Sequence, residues 1–193
     1  MSNCNILIVG GKSVGKTVIF NQITYRSTTP RFLYPISEDT GIASWTAQGQ
    51  QINIQVRDTI SATPTSINAT LCRNLDIILF VYSLDRKSSV EELGEWHDLI
   101  YRFIPPDVIS CLVGNKCDLV TSDEGFNDSI VRIKPIIGSK HNFKVSAVTG
   151  EGIPQMVEKI ARDYLTKQPR QPTGGVIVGG IRTPPGDAYC CIN

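Results

Sequence analysis

Asn5-Ile6-Leu7-Ile8-Val9 is an unbroken apolar run, and it leads directly into Gly10-Gly11-Lys12-Ser13-Val14-Gly15-Lys16-Thr17. A short aliphatic run without polar alternation is what a strand covered on both faces requires. The residues after it fit G-x-x-x-x-G-K-[ST], and Val18, Ile19 and Ile23 then fit a helix over 17–24. Strand, glycine-rich loop and helix in this order give the pattern a mechanism. The glycines let the backbone curl until its N–H groups converge on phosphate oxygens, and the helix N-terminus adds partial positive charge. Lys16 would bridge terminal phosphates and the Thr17 hydroxyl would ligate Mg²⁺. Gly10, Gly11, Lys12, Ser13, Val14, Gly15, Lys16 and Thr17 form the first candidate site.

Outward from this loop the pattern repeats. Residues 26–44 are polar, with Pro30 and Pro35, and read as a long loop. Ile52, Ile54 and Val56 alternate with Asn53 and Gln55, which marks a half-exposed strand, with Gln48-Gly49-Gln50 as its hairpin turn. Ile77–Tyr82 and Val108–Gly114 are further continuous apolar strands, and Phe143-Lys144-Val145 is a short last one. Helices are expected over 88–104, stopped by Pro105-Pro106, over 123–133, ended near Pro135, and over 153–165, with Pro154 in its first turn. Strands alternating with helices give an open, mostly parallel α/β sheet, whose ligands sit at the carboxyl ends of the strands.

The chain has 193 residues, 41% hydrophobic and 19% charged, enough to bury a core in one domain. Lys+Arg number 19 against 18 for Asp+Glu, and no basic cluster or aromatic stripe stands out, so nucleic acid is not an expected partner. No run approaches the ~20 apolar residues of a spanning helix. Met1-Ser2-Asn3-Cys4 lacks the character of a secretory signal, and Ser2 excludes N-myristoylation. Cys4, Cys72, Cys111 and Cys117 are scattered without metal-ligand spacing, so reduced, mostly buried thiols are expected.

Asn115-Lys116-Cys117-Asp118 closes the third buried strand. A carboxylate at Asp118 can accept two N–H bonds from guanine N1 and N2; adenine offers no such pair and would leave the charge unpaired. Asn115 and Lys116 can brace neighbouring loops and cover the base. Val145-Ser146-Ala147 follows the last strand, where a backbone N–H, at Ser146 or Ala147, could meet the guanine carbonyl oxygen. With these residues in order, the chain resembles the Ras superfamily of small GTPases, and the Rab branch most. Tyr82-Ser83-Leu84-Asp85, Ser88-Ser89-Val90, Trp96, Leu112-Val113-Gly114-Asn115-Lys116-Cys117-Asp118-Leu119 and the C-terminal Cys190-Cys191 carry the likeness. It implies the P-loop small-GTPase fold, with six strands and five helices, GTP or GDP with Mg²⁺, and two loops that sense the γ-phosphate.

The departures from that family fall on the sensing loops. Where the family reads D-T-A-G-Q, this chain reads Asp58-Thr59-Ile60-Ser61-Ala62. Asp58 keeps the carboxylate that would hold Mg²⁺, Ser61 keeps an N–H for the γ-phosphate, and Ala62 replaces the Gln that orients the attacking water. Hydrolysis is therefore expected to be slow, with no catalytic residue assigned. In the first switch, spacing from Thr17 to Asp58 places Pro35 at the Mg²⁺-sensing Thr position, and Thr40, followed by Gly41-Ile42, is the alternative. Proline has neither hydroxyl nor N–H to offer. Lys12 stands where the family has a small residue; it either crowds the γ-phosphate side or is a solvated lysine.

From residue 168 to 193 the chain holds five Gly and four Pro and few charges, a flexible tail beyond a nucleotide-binding domain at 1–167. Cys190 and Cys191 resemble a Rab-type double prenylation signal, and two lipid chains hold a membrane where one binds only marginally. Prenylation and escort machinery, effectors and an exchange factor are the implied partners. The expected place is the cytoplasmic face of an intracellular membrane, with a soluble cytosolic pool, as a monomer in vesicle traffic. Two other readings compete: a non-hydrolysing nucleotide-binding scaffold, and another P-loop enzyme such as a nucleotide kinase. Asn115 to Asp118 argue against the last.

Overall fold

Six strands form one sheet in the order β2-β3-β1-β4-β5-β6. They are β1 (Ser2–Val9), β2 (Thr40–Ala47), β3 (Gln50–Asp58), β4 (Ile77–Ser83), β5 (Ile109–Asn115) and β6 (His141–Lys144). The computed structural model describes residues 2–25, 40–59, 69–120 and 126–167. β1 runs parallel to both β3 and β4, and β5 runs parallel to β4 and β6. Only β2 is antiparallel, paired with β3 through the turn at Gln48-Gly49. Four α-helices lie among the described residues, α1 (Lys16–Tyr25), α2 (Ser88–Ile100), α3 (Asn127–Ile137) and α4 (Ile153–Thr166), with a 3-10 turn at Cys117–Leu119.

The apolar runs are continuous because both faces of the sheet are covered. Alternate residues of β1 go to opposite layers: Ile6 and Ile8 join the layer with Ile19 of α1 and Ile160 of α4. Leu7 and Val9 join the layer with Leu93 and Trp96 of α2 and Ile133 of α3. Every residue of β4 and of β5 is buried. α4 buries Ile153, Met156, Val157, Ile160 and Ala161, the three- and four-residue spacing of one helix face.

Three expectations need correction. Residues 40–44 are strand, not loop: β2 is an edge strand whose Ile42 faces outward at 71% exposure, so its polar residues hide the pattern and pairing with β3 creates it. The helix expected to reach residue 104 ends at Ile100, although Ile104 N–H still bonds to the Ile100 carbonyl and its side chain packs on the core. The residue preceding a proline is pushed away from helical geometry, which shortens the run before Pro105-Pro106. The helix expected to end near Pro135 instead contains it. The proline removes a hydrogen bond to the Val131 carbonyl, but Val131 is itself exposed, so water reaches that side of the helix. The helix stops at Gly138, whose N–H bonds back to the Lys134 and Pro135 carbonyls.

At the end of the sheet where β6 begins, Asp163 of α4 sits among two lysines and a histidine. It meets Lys140 Nζ at 2.9 Å, His141 Nε2, and Lys159 Nζ at 3.5 Å. Burial opposes ionisation, but the hydrogen bonds and charges of His141 and Lys140 outweigh it and hold the carboxyl at about 2.

Candidate guanine-nucleotide site

The phosphate loop lies between β1 and α1, where the chain order across the sheet reverses, with β3 on one side and β4 on the other. Gly15 has φ +93°, and a Cβ there would lie 2.2 Å from Asn115 Nδ2, so only glycine lets the loop enter α1 at this point. Lys16 turns back over the loop and donates to the Gly10 carbonyl at 2.9 Å and the Gly11 carbonyl at 2.8 Å. Burial lowers its pKa, while the Asp58 and Glu92 carboxylates act in the opposite direction. Lys12 and Ser13 are exposed.

Thr17 and Asp58, 41 residues apart, are joined by a 2.7 Å hydrogen bond from Thr17 Oγ1 to Asp58 Oδ2. Asp58 is 3% exposed, and Thr59 anchors the chain just beyond it by donating Oγ1 to the Ile8 carbonyl at 2.9 Å. A hydroxyl and a carboxylate at one spot are the hard oxygen donors that Mg²⁺ takes, which suits the expected metal role of both residues.

At the other arm, Asn115 is 2% exposed and ties two loops together. Its Nδ2 donates to the Val14 carbonyl at 2.9 Å, and its Oδ1 accepts from the Ala147 N–H at 3.0 Å. Asp118 lies exposed on the 3-10 turn, presented by Lys116, whose φ of 66° swings the chain out of β5. Ser146 is fully buried; its Oγ accepts from the Thr149 N–H at 3.1 Å and its carbonyl from the Gly150 N–H at 2.8 Å. Each N–H of 145–147 already has a protein partner: Val145 the Gly114 carbonyl, Ser146 the Glu151 carbonyl, Ala147 the Asn115 side chain. A guanine carbonyl would therefore share the Ala147 N–H with Asn115 rather than find it idle.

Several contributors escaped the motif reading. Gln22 of α1 donates Nε2 to the Ala147 carbonyl at 2.8 Å, which pins the base loop to the helix that follows the phosphate loop. Asp85 accepts from Lys116 Nζ at 3.0 Å. A hydrogen bond from the Ser83 hydroxyl, then Lys116, holds the Asp85 carboxyl below the usual range. Arg86 donates to the Lys12 carbonyl at 2.9 Å. Asp85 and Arg86 follow β4 at the carboxyl edge of the sheet, which was the available signal. Thr40 forms the first pair of the β2–β3 ladder, opposite Arg57. Pro35, Ser61, Ala62, Cys190 and Cys191, and the tail from residue 168, lie outside the described residues. Cys4, Cys72 and Cys111 are free and buried, and Cys117 is free and half-buried. No helix among the described residues is long and apolar enough to cross a membrane.

A family model described as the Ras family matches residues 5–166. Among curated proteins, the chain is 25% identical over 165 residues to Ras-related protein Rab-12 of Mus musculus, covering 85% of this chain and 68% of that protein. It is 25% identical over 182 residues to Ras-related protein Rab-13 of Canis lupus familiaris, covering 94% and 87%. It is 27% identical over 162 residues to Ras-related protein Rab-4 of Dictyostelium discoideum, covering 83% and 78%. The match reaches all six strands and both arms of the site, so this chain belongs to the Ras family of small GTPases and resembles its Rab members.

Proposed function

We propose that the chain binds GTP and GDP with Mg²⁺, reads guanine through Asp118, and works as a Rab-like switch whose intrinsic hydrolysis is impaired. The observation that carries this reading is the convergence at one sheet edge: Thr17 against Asp58, and Asn115 spanning from Val14 to Ala147. Thr17 and Asp58 are the residues that would hold Mg²⁺; the ion would neutralise charge on the β- and γ-phosphates. Gly10 to Thr17 and the Ser61 N–H would line the phosphates, and Asn115, Lys116, Asp118, Ser146 and Ala147 the base.

Ala62 has no group to orient water, and Pro35 has none to meet Mg²⁺ or the γ-phosphate. These two positions support a second reading, a nucleotide-binding scaffold that neither switches nor hydrolyses. Single-turnover hydrolysis with bound GTP separates them. The switch reading expects slow turnover, below the intrinsic rate on the order of 10⁻⁴ s⁻¹ for the family with its Gln. No turnover at all, with GTP and GDP giving the same hydrogen exchange over 30–45, supports the scaffold. Equal affinity for ATP and GTP overturns both.

Membrane attachment would come from prenyl groups on Cys190 and Cys191, placed by escort machinery for which Val176-Ile177-Val178 is the tail's apolar handle. The tail has no basic cluster to add an electrostatic hold. Fractionation then distinguishes the variants: Cys190→Ser or Cys191→Ser leaves the protein partly membrane-bound, and the double change leaves it soluble. A double variant that still pellets with membranes overturns the lipid anchor. Traffic between membranes on the cytoplasmic side is the role this arrangement serves.

A further inference from the structure

The segment after β4 touches both arms of the site with side chains adjacent in sequence. Asp85 accepts from Lys116 Nζ, at 3.0 Å to Oδ2 and 3.4 Å to Oδ1. Arg86, the next residue, sends Nη2 to the Lys12 carbonyl at 2.9 Å, on the phosphate loop. Opposite charges therefore grip opposite loops from one short connection.

That connection is itself rigid. Leu84 N–H bonds to the Asn115 carbonyl at 2.9 Å, which ties it to the end of β5. Ser89 Oγ, buried in the first turn of α2, accepts from the Ser83 N–H at 2.9 Å, and its hydroxyl lies within donating distance of the Arg86 carbonyl at 2.5 Å and the Ser83 carbonyl at 3.1 Å, which ties the connection to that turn. Glu92, one turn further along α2, holds the Arg86 guanidinium at 2.6 Å. Its carboxylate fills the space beside Gly11, where a Cβ would lie 1.7 Å from Oε2. The phosphate loop is thus packed on its outer side against an Arg–Glu pair, and the absence of a side chain at position 11 makes the room.

We infer that Asp85 and Arg86 are positioning residues that form a single bracket across the site, coupling the base-reading loop to the phosphate loop and lengthening nucleotide residence. The inference rests on the guanine-nucleotide reading of the site. Neither residue needs to touch the ligand. Asp85 holds Lys116 in place, and Arg86 fixes the carbonyl of Lys12, so the backbone N–H groups of the loop keep their direction. Releasing either arm leaves the buried Asn115 and Gln22 bonds as the remaining ties between the two loops, so each loop gains motion on its outer side only.

Each pair is partly solvated, with Asp85 35% and Arg86 42% exposed, so each single contact has a modest effect. The test is dissociation of a fluorescent GDP from the full chain, comparing Asp85→Asn, Arg86→Gln, the double variant and Glu92→Gln, which unties Arg86 by a second route. Each single change is expected to speed release about fivefold. The double variant is expected to release at the rate of one single variant, because a bracket broken at one arm is already open. Arg86→Lys, which retains the charge and one donor, restores part of the residence time, and Lys87→Ala on the same connection leaves it unchanged. Melting temperatures of the nucleotide-free variants should stay together, since a purely structural role would lower them in step with release. Wild-type release rates in the single variants, or a double variant that multiplies the two effects, overturns the bracket. A wild-type chain that fails to bind GDP instead overturns the nucleotide reading.

Discussion

On the proposed reading of the site, the base-reading arm keeps the family's residues more fully than the phosphate-sensing arm does. At the base arm, Asn115, Lys116, Asp118, Ser146 and Ala147 keep the residues that the resemblance calls for, and buried hydrogen bonds tie Asn115 to the phosphate loop and Ala147 to α1. At the sensing arm, Asp58 keeps its place beside Thr17; on the proposed alignment Ala62, and Pro35 unless Thr40 takes that place, stand where the family has side chains that answer to the γ-phosphate, while Ser61 keeps only the N–H of the family's Gly. The contrast separates two properties: holding a guanine nucleotide needs the first arm, and telling GTP from GDP needs the second. A ligand shifts an equilibrium only by its differential affinity for the two states, so losing γ-phosphate contacts lowers the contrast between states without loosening the common hold.

The largest effect that would break this comparison is at Asp118. Asp118→Asn should reverse the preference from guanine to xanthine, a change of about a hundredfold or more, because the paired acceptor becomes a donor. Competition binding with GDP and XDP measures it; an unchanged preference would mean that the base is read elsewhere. Next is Asn115→Ala, which removes two buried hydrogen bonds at once. At ~1–3 kcal/mol for each group left unsatisfied, GDP release should accelerate by about two orders of magnitude. Stopped-flow release is the readout, and a change under about fivefold would show that the two arms are not joined through this side chain.

Ala62→Gln addresses the sensing arm. It should raise single-turnover hydrolysis about tenfold while leaving GDP release at its original rate, since general positioning of water has effects of that order or larger. A rate that does not move means that another residue orients the water. The smallest effect on the site itself is expected from Asp163, at the far end of the sheet. Its carboxyl lies at about 2 when folded, against 3.8 ordinarily. A depressed folded pKa means that the contribution is present above 3.8 and is lost as pH falls from 3.8 toward about 2. Asp163→Asn should lower unfolding stability by about 2 kcal/mol and flatten the acid limb of the stability curve, with GDP release unchanged. Chemical denaturation across that pH range, with release measured in parallel, checks both halves.

Much of this molecule was legible in the residue order. β1, β4 and β5 announce themselves because strands covered on both faces must be apolar throughout, and no tertiary detail is needed to see it. The phosphate loop and Asn115 to Asp118 are equally plain, because their chemistry demands particular residue types at close spacing. β2 was hidden, because an edge strand with one open face takes its structure from its neighbour rather than from its own pattern. α3 crossed Pro135 because that side of the helix faces water, a matter of packing that the proline does not disclose. Gln22, Arg86 and Glu92 carry no motif, and Asp85, though it ends the Tyr82–Asp85 stretch, has no site role legible from that stretch. They belong to the site because β4 lies beside both β1 and β5, which brings the segment after it against two loops more than seventy and about thirty residues away in sequence. Short-range chemistry is written in neighbouring residues; contacts across strands exist only once the sheet has set its order.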